Sequence, residues 1–163
     1  MAVAALVLAS HLVRAEPAVN ESLLGMSEQA VKNAFPAVLK VARPSRGPHG
    51  ERGLLHLPNS ELAGQRVEAV FYFRGNSLQR IEQRWSAQEP LCTEAYAALM
   101  SDLNVKYGPG VYSEMTPATE GQAQSSAWIS SSFRVLAHGI QRPERCDLLV
   151  AFDPHQETDA SQL

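Results

Sequence analysis

The sequence predicts an α+β domain: an antiparallel β-sheet with helices packed on one face, a two-layer sandwich. Three observations carry that expectation. From Arg66 to Trp85 apolar and polar residues alternate with period two, interrupted once at Gly75-Asn76-Ser77, the pattern of a β-hairpin. Cys92, Tyr96, Leu99, Leu103 and Tyr107 fall at steps of three and four, the buried stripe of a long helix. The order along the chain is helix, β-meander, helix, β-hairpin, so runs of strands are separated by helices.

Taken in order, residues 1–15 read as a truncated secretion signal. Ala2 to Val13 is nearly all apolar and, at twelve residues, too short to span a bilayer. Val13-Arg14-Ala15 suits signal-peptidase cleavage, although a basic n-region is missing. An ordinary apolar strand or helix is the alternative. No Cys follows this run, so no lipid-anchor site and no stable membrane anchor is expected. Residues 16–153 are read as one domain and 154–163 as a disordered tail.

Ser27 is a good N-cap, Glu28 stands in the first turn, and Ala30, Val31, Ala34 and Phe35 form an apolar stripe up to Pro36. A further helical turn or two is expected over 37–42, then a loop over 43–50. A strand follows at about 53–57, with a turn at Pro58-Asn59-Ser60.

The hairpin register can be argued residue by residue. A two-residue Gly75-Asn76 loop would pair Phe71 with Arg80 and mix aromatics with charges on one face. A three-residue Gly75-Asn76-Ser77 loop pairs Arg74 with Leu78, Phe73 with Gln79, Phe71 with Ile81, Tyr72 with Arg80 and Glu68 with Arg84. That choice gives one mostly apolar face, and burial of that face selects it.

Pro90 and Thr93 open the long helix, which Gly108-Pro109 closes. A polar, mobile segment is expected over 113–125, one strand over 127–138, a turn over 139–145 and a last strand over 146–152.

The chain has 163 residues, 45% hydrophobic and 19% charged, with a formal net charge of −3. Those values suit one globular domain with a sizeable core and give no electrostatic footprint for nucleic acid. Its two cysteines, Cys92 and Cys146, behind a leader-like segment predict one disulfide.

Motifs for chemistry are scarce. The five histidines show no metal-ligand spacing. Ser130-Ser131-Ser132 reads as strand with no nucleophile-elbow flanks. Gly47, Gly50 and Gly53 lack the Lys and the strand-to-helix context of a phosphate loop. No reaction, cofactor or metal is predicted. The candidate functional surface is the hairpin's polar face, where Tyr72, Arg74, Arg80 and Arg84 make an exposed strip suited to an acidic protein partner. The fold is expected to be indifferent to those arginines. The alternative is a small-ligand carrier using a cleft between helix and sheet.

Leu24-Gly25-Met26-Ser27-Glu28-Gln29-Ala30-Val31 resembles the Gly-Met-Ser-x-x-x-Val helix start of small outer-membrane-assembly lipoproteins of the SmpA/OmlA type. Val70 to Leu78 is similar to their Phe-x-Phe-x-x-Gly-x-Leu hairpin, and the β-lactamase-inhibitor-like proteins share the same α+β plan. The lipid-anchor cysteine of the lipoproteins is missing. The resemblance implies a periplasmic or secreted module that binds another protein without catalysis: an envelope-assembly accessory, or an inhibitor or immunity-type protein.

Overall fold

The computed structural model describes residues 17–88, 91–118 and 121–155. The signal segment, Pro90 and most of the expected tail lie outside them. The fold is α+β with an antiparallel sheet. Its elements are α1 (Glu28–Ala34), β1 (Leu39–Lys40), β2 (Arg52–Leu62), β3 (Gln65–Arg74), β4 (Ser77–Gln88), α2 (Leu91–Tyr107), β5 (Tyr112–Ala118), β6 (Gly121–Ile129), β7 (Phe133–Gln141) and β8 (Arg145–Pro154). The eight strands pair in the order β1-β2-β3-β4-β8-β7-β6-β5. Each half of the chain is therefore a helix followed by a meander. The two meanders join through their last strands, β4 and β8, which run antiparallel from Ile81↔Phe152 to Gln88↔Arg145.

Local chemistry explains both helices. Ser27 Oγ accepts the Ala30 N–H at 3.1 Å, the N-cap its position predicts. α1 stops at Ala34, one residue short of Phe35-Pro36. α2 closes where Gly108 adopts φ +82°, with its N–H bonded to Asn104 O at 2.9 Å.

The hydrophobic core gathers one face of the strands: Leu55, Phe71, Ile81, Phe152, Val135 and Trp128 run across the sheet and are buried. Val31 and Phe35 of α1 and Leu99 and Leu103 of α2 belong to the same cluster. Phe35 meets Phe71 with ring centroids 5.7 Å apart. A Cβ on Gly139 of β7 would come within 2.9 Å of the Tyr96 ring, so glycine there admits the helix's aromatic close to the strand. Cys92 and Cys146 are bridged, with Cα atoms 5.8 Å apart, and close a separation of 54 residues from the first turn of α2 to β8.

Five expectations are corrected. Leu39 and Lys40 are not helical; they pair with His56 and Leu55 as a short edge strand. Pro58 and Asn59 make a bulge inside a continuous β2, because the pairing slips between Leu57 and Ser60; the turn is Ala63-Gly64, both at positive φ. Residues 113–125 are strand, since β5 pairs with β6 from Tyr112↔Ala127 to Ala118↔Gly121. The strand expected over 127–138 breaks at Ser130, whose Oγ accepts the Phe133 N–H at 3.1 Å and closes a side-chain-built turn. β7 then runs on through Gly139 to Gln141.

The hairpin keeps its predicted register but reaches it differently. Phe71↔Ile81, Tyr72↔Arg80 and Glu68↔Arg84 pair as expected, yet Arg74 faces Ser77 and Phe73 faces Leu78 across a two-residue turn. The extra residue is Gln79, bulged into β4 instead of the loop. Tertiary bonds account for it. Leu78 donates its N–H to Met26 O and accepts the Gly25 N–H, both at 2.8 Å, and Asn76 Oδ1 accepts the Glu28 N–H at the start of α1.

Candidate functional site

The other face of the sheet is set by the same register. One row runs Val70–Glu82–Ala151–Leu136–Ala127 and the next Glu68–Arg84–Leu149–His138–Ser125. At the end near the hairpin turns lie Tyr72, Arg80, Asp153, Arg134 and Ile129. None of these side chains belongs to the hydrophobic core cluster.

Three of the sequence-predicted residues meet in one ion network, and two of those three are buried. Arg80 is 6% exposed and Tyr72 2%. The Arg80 guanidinium grips Asp153 through both carboxylate oxygens, at 2.7 and 2.8 Å, and its Nε donates to Glu82 Oε1 at 2.8 Å. Tyr72 donates its hydroxyl to Glu82 Oε2 at 2.9 Å, and Arg84 donates to the same oxygen. Arg134 Nη2 adds a bond to Asp153 at 2.9 Å. Burial by itself would raise the pKa of Glu82; hydrogen bonds from Arg80 and Arg84 outweigh it and hold the carboxyl below the ordinary range. Burial raises the Tyr72 phenol.

The expected exposed strip is thus corrected in part. Arg74 and Arg84 have side chains 51% and 56% exposed, but Arg80 and Tyr72 do not reach solvent. The reason is pairing: a guanidinium is buried only with its charge met, and Asp153 and Glu82 meet it. The separation of 73 residues between Arg80 and Asp153 hides that pairing from any local pattern. Arg74 lies apart, bonded to the His49 carbonyl and 3.9 Å from Glu51.

Between and beside these charges stand apolar residues. Val70, Leu136, Ile140 and Leu149 are all half-buried on this face. His138 bonds Ser125 across β6 and β7 at 2.7 Å, and His56 lies 3.7 Å from Glu68. Among the described residues no group of three or more His, Cys, Asp or Glu could hold a metal.

The cleft between α2 and the sheet lies beside the disulfide, lined by Tyr96, Gln124, Gly139 and Leu148, with a volume of about 160 Å³. Sites for drug-sized ligands run roughly 300–1,000 Å³. No helix among the described residues is long and apolar enough to cross a membrane. The chain matches no family profile, no curated protein and no solved structure.

Proposed function

We propose that this protein is a non-catalytic binding module of the periplasm or the secreted space, and that it docks another protein on the polar face of its sheet. On this reading both helices lie over the core face, which their membership of one cluster with Phe71, Ile81 and Val135 supports. The observation that carries the proposal is the half-buried apolar set Val70, Leu136, Ile140 and Leu149, which joins no core and stands among Arg84, Glu68 and His138. An apolar patch ringed by charge on a rigid sheet is the anatomy of a protein interface.

The disulfide supports an oxidising compartment, where such bridges persist. The likeness to outer-membrane-assembly and β-lactamase-inhibitor-like proteins is part of the same proposal. An envelope-assembly accessory and an inhibitor or immunity-type protein are the two roles that fit.

The test is capture from the source organism's own envelope extract with three baits: the unaltered protein, a Leu136→Glu/Leu149→Glu variant of the sheet face, and Val105→Glu on α2, where Val105 is 85% exposed. A partner held by the first and third and lost by the second is expected. Equal retention by all three would remove the sheet face from the reading.

A further inference from the structure

One end of the polar face holds a cleft of about 360 Å³, lined by His49, Glu51, Arg74, Ile129, Arg134 and Asp153 among others. Its floor and its mouth differ in charge. The carboxylates lie deep: the Glu51 and Asp153 side chains are 2% and 4% exposed. The guanidiniums lie outward: Arg74 is 51% exposed and Arg134 39%. Asp153 is engaged through both oxygens by Arg80 and Arg134; Glu51 accepts the His49 N–H on Oε2 at 3.0 Å, with Arg74 3.9 Å away, and its Oε1 is buried without a hydrogen-bond partner among the described residues. In the ion network behind the cleft three guanidiniums (Arg80, Arg84, Arg134) meet two carboxylates (Glu82, Asp153), so one positive charge is in excess there, while Arg74 and Glu51 form a separate pair.

Two further observations concern Arg134 and its neighbour. Arg134 Nε is buried with no hydrogen-bond partner among the described residues, so its guanidinium is incompletely satisfied although Asp153 fixes its position. Ile129, paired with Arg134 in the register, is 52% exposed, a large aliphatic surface beside a cation. A fork of N–H donors suits a carboxylate, and the aliphatic neighbour excludes water from one side of it.

We infer that this cleft receives an acidic side chain, Asp or Glu, flanked by an aliphatic residue on the surface of a protein partner. The inference rests on the docking face proposed above and deepens it, giving that face one chemically defined anchor point. A side chain is favoured over a chain end because Ile129, Arg134 and Asp153 stand on the sheet face itself, across which a docked protein surface would run. Arg134 is the primary contact, held in place by Asp153 and, behind it, Arg80. Arg74 is the second, and Ile129 takes the flanking aliphatic group.

The experiment is a titration of the intact, non-reduced protein with blocked dipeptides, followed by backbone amide NMR shifts. N-acetyl-Leu-Glu-amide is expected to shift Ile129, Arg134 and Arg74 amides saturably, with a midpoint on the order of millimolar, as befits a single anchor residue. The uncharged N-acetyl-Leu-Gln-amide should be at least about fivefold weaker, and added salt should weaken the Glu peptide alone. Arg134→Gln should raise the midpoint at least about fivefold. Arg74→Gln, an exposed change with little bearing on folding, should raise it about twofold to threefold and guards against a refolding artefact in the first variant.

Equal binding of the Gln and Glu peptides, or no saturable shift, would overturn the proposal. Tighter binding of N-acetyl-leucine, whose only carboxylate is a chain terminus, would overturn the side-chain source. Because the dipeptides need no natural partner, the cleft can hold while the capture experiment fails, and the reverse, so the two readings fail separately.

Discussion

The two faces of the sheet are built from the same strands and each holds a buried cluster, but of opposite chemistry. On one, Phe71, Ile81, Val135 and Val150 are fully buried hydrocarbon. On the other, Tyr72, Arg80, Glu82 and Asp153 are 2–6% exposed and fully polar. The comparison teaches that alternation along a strand separates polar from apolar faces, and does not separate solvated from buried ones. The apolar face is stable by area removed from water. The polar face is tolerated because each buried charge has a fixed counter-charge, and it fails abruptly when one is removed.

Five measurements break or sharpen that contrast. Phe71→Ala should cost roughly 3–5 kcal/mol in denaturant unfolding by opening a core cavity. Arg80→Ala should cost about as much, roughly 3–5 kcal/mol, because Asp153 and Glu82 are then left buried without their cation. A cost under about 1 kcal/mol for Arg80→Ala would show the polar face to be ordinary solvated surface and end the comparison. Removing both cysteines as Cys92→Ser/Cys146→Ser should cost up to about 4 kcal/mol, the chain-entropy value for a loop of 54 residues. That loss should be the same whichever face carries a second, distant substitution.

Acid separates the faces next. Glu82 has a depressed folded pKa, so its contribution is present above the unfolded carboxylate value and is lost as pH falls through the folded one. Thermal midpoints should therefore hold from neutral pH down to about 5 and drop below the ordinary carboxylate range near 4. Glu82→Gln should flatten that drop, at the cost of a lower neutral-pH midpoint; an unaltered acid profile in the variant would sever the titration from this network. The smallest effect belongs to Arg74→Ser/Arg84→Ser. Both side chains are half exposed; Arg74→Ser should shift stability by under about 0.5 kcal/mol, and Arg84→Ser, which removes one of two cations from buried Glu82, by about 1 kcal/mol, still well below Arg80→Ala.

Much of the hairpin was legible in the sequence because it is local. Its register follows from which residues must be buried together, and Phe71↔Ile81 and Glu68↔Arg84 pair accordingly. The helix start at Ser27 and the stop at Gly108 are likewise written in single residues. The second meander was less legible. Its turn at Ser130 is built by a serine hydroxyl in place of glycine, and β5 carries the polar sequence of a loop. The pairing of Cys92 with Cys146 needed only a count of two. The candidate site was half legible. Tyr72, Arg80 and Arg84 stand on one face as read, yet Asp153 of β8 and Arg134 of β7, which decide what that face exposes, reach it only through the distant β4–β8 and β7–β8 pairings.

That pairing has a consequence for how the molecule opens. Both cysteines lie in the second half of the chain, Cys92 in α2 and Cys146 in β8, so the covalent staple does not cross the junction between β4 and β8. The junction is held by its backbone ladder and by Arg80 with Asp153 and Ser86 with Asp147. Native-state hydrogen exchange should therefore be asymmetric. The amides of β1 to β3 should exchange through an opening of lower free energy than those of β5 to β7, which lie within the bridged loop. Reduction should erase most of that difference, turning a molecule with one early-opening half into one that opens as a whole.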